Sequence, residues 1–93
     1  MIILGKQKID DFKKNNASAR KPLDMWVKIV EESSWTTIAD LRQKSPTTDW
    51  VNPHFVFNIG GNNYRLLSII SFKRQQVTVI KIGTHAEYEK WSL

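Results

Sequence analysis

Apolar positions recur along the chain with two periods, and the change from one to the other falls near residue 54. Met1–Leu4 (MIIL) is a short apolar run closed by Gly5, which predicts a strand able to add to a sheet edge. From Lys6 the spacing becomes helical, with Ile9 and Phe12 on one face and Lys6, Lys8, Lys13 and Lys14 around the rest. The stretch NNASAR, 15–20, breaks that pattern. Pro22 then suits the first turn of a second helix, where its missing N–H costs nothing. Leu23, Trp26, Val27 and Val30 give this helix a half-buried stripe that stops near Ser33–Ser34. SSWTTIADLRQKSP predicts a shorter third helix, with Thr37 three before Asp40 as a cap and Pro46 just beyond its end. Residues 45–53, SPTTDWVNP, read as a loop that carries Trp50.

Beyond that loop the period is two. HFVFNI, YRLLSIISF and QVTVIKIGT are strand-like runs separated by GGN and KRQQ, both hairpin signals. Helices first and a three-strand antiparallel meander after predict an α+β fold, with the N-terminal helices packed on one face of the sheet. Hairpin arithmetic makes the meander specific. If GGNN turns so that Ile59 faces Tyr64, Asn58 faces Arg65. If the second hairpin turns tightly about Arg74–Gln75, Lys73 faces Gln76 and Arg65 faces Thr84. Asn58, Arg65 and Thr84 then form one row, with His85 one step past its end. Lys81 faces Ser68 on the opposite sheet face, near the same edge. A slip of one residue would reverse the faces.

A chain of 93 residues is one domain's worth, 1–93, and buries enough surface to fold alone. Four Trp, four Phe and 41% hydrophobic residues argue for a packed core. The absence of cysteine excludes a disulfide framework and thiolate metal sites, and suits a reducing cytoplasm. MIILGKQK is too short an apolar stretch for a signal peptide, and no run approaches membrane-spanning length. Charge changes the picture more. The formal net charge is +5, and the excess lies at the two ends: seven Lys/Arg against three Asp in 1–28, five against two Glu in 54–93, but two against four in 29–53. Two basic ends that converge would suit a polyanion; an ordinary solvated basic surface is the plain alternative.

Candidate chemistry concentrates at the end of the meander. Arg65 is a charge between apolar neighbours in YRLLSII: either a solvent-face arginine or a guanidinium placed to grip a phosphate with two N–H groups. In THAEYEKW, Thr84 three before Glu87 is a capping box, which starts a helical turn at His85 and sets Tyr88 and Trp91 along it. All of that can be structural, with His85 a spectator. The sharper reading is a proton-transfer site, a histidine at a helix start having its proton affinity lowered by the dipole. Two histidines, His54 and His85, with scattered carboxylates make a poor metal site. The adjacent pairs Asp10–Asp11 and Glu31–Glu32 diverge on their helices. NIGGN is a hairpin turn rather than a phosphate-cradling glycine loop. No metal and no cofactor is indicated.

VFNIGGNNYRLL, followed by THAEY about twenty residues later and preceded by SWTTIADLRQKSPTTDWV, resembles the HigB family of bacterial toxins within the RelE-like superfamily, over roughly 26–91. The resemblance implies a compact α+β toxin of a type II toxin–antitoxin system. It implies a ribosome-dependent, metal-independent endoribonuclease that cuts mRNA by driving the 2′-hydroxyl onto the adjacent phosphate. A helix-turn-helix, HigA-like antitoxin would neutralise it, and DNA would be contacted only through that antitoxin. Carried onto this chain, Arg65 would steady the phosphate, His85 and Tyr88 would be the acid and base, and Lys81 a second cation. Lys73, Arg74 and Asn58 would hold RNA. RelE-like toxins often lack a histidine, which leaves open whether His85 transfers a proton or orients the substrate. Two other readings use the same residues: a non-catalytic RNA- or ribosome-binding module, and a degenerate toxin kept as an antitoxin-binding co-repressor.

Overall fold

In the computed structural model, which describes residues 1–93, β1 (Ile2–Leu4) passes at once into α1 (Lys6–Asn15). Gly5 makes this possible: its φ is 86°, and a Cβ there would lie 2.9 Å from the Val79 carbonyl oxygen. A single 3₁₀ turn, Ala17–Ala19, replaces the predicted break and leads into α2 (Arg20–Glu32), on which Leu23, Trp26 and Val30 are buried. α3 (Ile38–Lys44) begins where its cap predicted, the Thr37 hydroxyl accepting from the Asp40 N–H at 3.1 Å.

Asp40 answers by accepting from the Thr36 N–H at 3.0 Å and the Thr36 hydroxyl at 2.8 Å. These bonds, the backbone one first, hold its carboxyl below the ordinary carboxylate range. A folded-state pKa below the unfolded one means stability that is present above the unfolded pKa and lost as pH falls through the folded value. Asp40→Asn should therefore flatten the acid limb of stability. Urea midpoints measured from neutral pH downward check this, and parallel curves for the two proteins would contradict it.

The remaining strands are β2 (Asp49–Val51), β3 (His54–Ile59), β4 (Tyr64–Ser71) and β5 (Gln76–Thr84), and the chain then enters α4 (His85–Tyr88). They form one sheet in the order β1-β5-β4-β3-β2, antiparallel except for β1, which runs parallel to β5 with Ile3 opposite Val77. The predicted meander and edge strand are both present, and the architecture is α+β. β2 lies inside the stretch predicted as loop. Its three residues pair with Val56–His54 at the sheet edge, and Trp50 stacks on Phe55 at 6.2 Å while remaining exposed. A three-residue edge strand bounded by turn residues shows no period in sequence.

Side chains from α1, α2 and α3 (Ile9, Leu23, Trp26, Val30, Leu41) meet one sheet face (Phe57, Ile59, Tyr64, Leu66, Val77, Val79) to form the core. Trp26 and Phe57 pack edge to face at 5.3 Å. Because strand side chains alternate, Arg65 and Leu67 point to the other face, away from these helices.

The first hairpin has the predicted register, Ile59 opposite Tyr64 and Asn58 opposite Arg65. The second does not. A tight turn about Arg74–Gln75 needs Arg74, its first central residue, at positive φ; instead four residues turn, and only Gln75 has positive φ, at 56°. The Gln75 side-chain amide donates to the carbonyls of Trp35 at 2.7 Å and Phe72 at 2.8 Å, which holds that turn. Ser71, not Lys73, therefore faces Gln76. A bulge between Leu67 and Ser68 then leaves Ile80 unpaired, so Leu67 faces Lys81 and Arg65 faces Gly83. Thr84 pairs with Tyr64 instead of Arg65. Lys81 stands on the same sheet face as Arg65, not the opposite one.

Candidate active site

β4 carries Arg65 into the corner where β5 turns into α4. The capping box that starts α4 is complete: the Thr84 hydroxyl accepts from the Glu87 N–H at 3.2 Å, and Glu87 Oε1 accepts from the Thr84 N–H at 2.9 Å. The N–H of His85 donates to the Asn63 carbonyl at 3.0 Å, fastening the helical turn to the β3–β4 hairpin. α4 thereby folds over the sheet face opposite the core helices.

Arg65 is only 8% exposed, and its guanidinium carbon lies 5.4 Å from the centre of the Tyr88 ring. Nη1 donates to the carbonyls of Asn62 and Tyr64, both at 3.1 Å, and Nη2 to Asn62 Oδ1 at 3.4 Å. No carboxylate lies within 4.0 Å of it. Of the five N–H groups of a guanidinium, three are taken by neutral oxygens and two are free. A buried cation held by dipoles and lacking a counter-ion is prepared to receive an anion from outside.

Gly83, beside Arg65 on β5, leaves room for Trp91. A Cβ at Gly83 would sit 2.8 Å from Trp91 Cζ2. Trp91 meets Tyr88 edge to face at 5.5 Å, and Lys81 Nζ lies 5.1 Å from the Trp91 ring. Arg65, Tyr88, Trp91 and Lys81 thus form one series, with two aromatic rings in contact between two cations. The imidazole of His85 is half exposed, and its Nε2 lies 3.0 Å from Glu89 Oε1.

Of the residues singled out in sequence, Arg65 and Tyr88 are in contact, His85 begins the turn that carries Tyr88, and Lys81 joins through Trp91. Asn58 stands opposite Arg65 and lines a small groove with Thr47, Gly61 and Asn62. Lys73 and Arg74 stand apart, on the turn beyond Ser71. That turn is six residues along β4 from Arg65, about 20 Å at about 3.3 Å per residue. Sequence reasoning missed Asn62, Asn63, Gly83 and Glu89. Only the His85–Glu89 spacing of four on a helical turn carried a signal.

The family model for HigB toxins, described as the RelE-like toxic component of a toxin–antitoxin system, matches residues 19–91. The chain belongs to that family. The match takes in all seven residues above and leaves β1 and α1 outside it. Among relatives, an mRNA interferase HigB of Escherichia coli O6:H1 (strain CFT073) is 27% identical over 93 residues, 97% of this chain and 90% of that protein. An mRNA interferase toxin HigB of Escherichia coli K12 is 35% identical over 40 residues, 43% of this chain and 38% of that protein. A HigB of Shigella flexneri with the name mRNA interferase matches to the same extent. No helix of the structure is long and apolar enough to cross a membrane.

Proposed function

We propose that this family member is a ribosome-dependent endoribonuclease that cleaves mRNA and so arrests translation. The observation that carries the reading is Arg65, a buried guanidinium without a counter-ion, under Tyr88 and beside the turn that begins at His85. The names of the relatives, mRNA interferases, point the same way. In this mechanism one of His85 and Tyr88 removes the proton of a ribose 2′-hydroxyl, and the 2′-oxygen forms a bond to the adjacent phosphorus. The bond from phosphorus to the 5′-oxygen breaks, and the other residue of the pair returns a proton to that oxygen. A 2′,3′-cyclic phosphate and a 5′-hydroxyl end are the products. The free N–H groups of Arg65 stabilise the charge that grows on the phosphate oxygens. Lys81 adds a second positive charge on the same face, so side chains supply the cations and no metal is invoked. Asn58 contacts the substrate next to Arg65, and Lys73 and Arg74 hold RNA backbone at the far turn.

In the same reading the toxin works in the cytoplasm, on ribosome-bound message, and is silenced by a helix-turn-helix antitoxin that carries any DNA contact. Induction in bacteria should arrest growth and produce new mRNA ends, mapped by primer extension, that carry cyclic phosphates. His85→Ala should relieve the arrest and remove the ends. A soluble wild type that leaves growth and messages intact refutes the proposal.

A further inference from the structure

The substrate must leave the Arg65 corner in some direction, and the charges on α1 single one out. Of the four lysines on α1, three have carboxylate partners: Lys6 with Glu31, Lys13 with Asp24 and Asp10, and Lys14 with Asp11. Lys8 has none within 4.0 Å, and neither has Lys81. These two unpaired cations, from different elements, line one groove of about 360 Å³ between α1 and β5, together with Asp11, Phe12, Asn15 and Ile82. Its single carboxylate, Asp11, is already engaged, accepting from Gln7 Nε2 at 2.9 Å with Lys14 Nζ at 3.8 Å. Unlike Lys6, Lys13 and Lys14, Lys8 is held in no pair that a phosphate would have to break.

The groove shares Lys81 with the candidate active site. Lys81 forms its wall and also lies over Trp91, which touches Tyr88, which covers Arg65. Cations flanking half-exposed aromatic rings are the chemistry that holds single-stranded nucleic acid, charges on the backbone and rings on the bases.

We propose that single-stranded RNA passes from Arg65 across Trp91 into the α1–β5 groove, where Lys8 and Lys81 bind the phosphate of a nucleotide flanking the scissile one. The proposal rests on the ribonuclease reading for its ligand, and it assigns Lys8, which lies outside the residues matched by the family. The opposite exit, toward Lys73 and Arg74, crosses about 20 Å of sheet before it meets those cations.

The test measures binding of a short single-stranded oligoribonucleotide, 2′-O-methylated at every position to prevent cleavage, by fluorescence anisotropy over a range of salt. Lys8→Ala should weaken binding a few-fold and reduce the slope of log affinity against log salt by about 0.7, one phosphate's worth. Lys8→Arg should restore both. Lys28→Ala, at an exposed α2 lysine outside both the groove and the active site, should leave binding of this short strand unchanged. The inference is overturned if wild type does not bind the strand, if Lys8→Ala leaves affinity and slope as they were, or if Lys28→Ala weakens binding as much as Lys8→Ala does. Cleavage of ribosome-bound mRNA is assayed separately. Lys8-dependent binding without cleavage would keep the RNA path and reject the nuclease, while cleavage with no Lys8 effect would do the reverse.

Discussion

Arg65→Ala should lower mRNA cleavage by about 10²–10³-fold, the scale on which enzymes lose rate when a preorganised donor to a developing oxyanion is removed. The guanidinium is fixed before substrate arrives, by three bonds to Asn62 and Tyr64 oxygens and by the Tyr88 ring above it. In the proposed mechanism a donor already held in place needs little reorganisation at the moment of reaction. The substitution also removes the donors of the Asn62 and Tyr64 carbonyls and the partner of the Tyr88 ring, at a stability cost of about 1–3 kcal/mol. Melting curves must therefore accompany the cleavage assay. Arg65→Lys separates the two contributions: it keeps the charge and loses the planar fork, so cleavage should stay well below wild type while the fold survives. A folded Arg65→Ala protein that cleaves at the wild-type rate would remove the arginine from the mechanism.

Gly83→Val should abolish toxicity with far less damage to the fold. The first added carbon would already lie 2.8 Å from Trp91 Cζ2 and 3.2 Å from Glu87 Cβ, so the indole has to move. Trp91 is the common neighbour of Tyr88 and Lys81, and its departure frees both from their present positions. Gly83 is buried, but Trp91, Tyr88 and Lys81 all lie outside the hydrophobic core cluster, so the thermal midpoint should fall by only a few degrees. Cleavage should fall by about tenfold or more, because a misplaced catalytic group costs rate steeply. Trp91→Ala should reproduce the loss, and the double variant should be no worse than either single one, since both act on the same contact. Additive losses would show that Gly83 matters for another reason.

The period-two runs showed β3, β4 and β5 almost to the residue, and Asn58 opposite Arg65 followed from the Gly60–Asn63 turn alone. The second hairpin was legible only in outline. Its turn depends on a long-range bond from Gln75 to Trp35, and the bulge leaves Ile80 unpaired within a run that reads as unbroken in sequence. Neither is a local property of the sequence. The pairing of guanidinium with phenol was predictable because both lie near strand ends that hairpins bring together. What positions them was not: the Asn62 and Asn63 carbonyls belong to the main chain, and side-chain identity does not announce where a carbonyl points. Arg65 could be named in advance, but its lack of a counter-ion could be seen only in three dimensions.

The parallel pairing of β1 with β5 dictates an order of assembly. Residues 54–84 zip through hairpins whose partners are near neighbours, at small loop-closure cost. Ile2 meets Gln76 only after almost the whole chain has been gathered. The corner around Arg65 thus belongs to the part that organises early, while the first strand is a late clasp. Refolding should show that clasp closing last, with amide protection at Ile3 appearing after protection at Leu66.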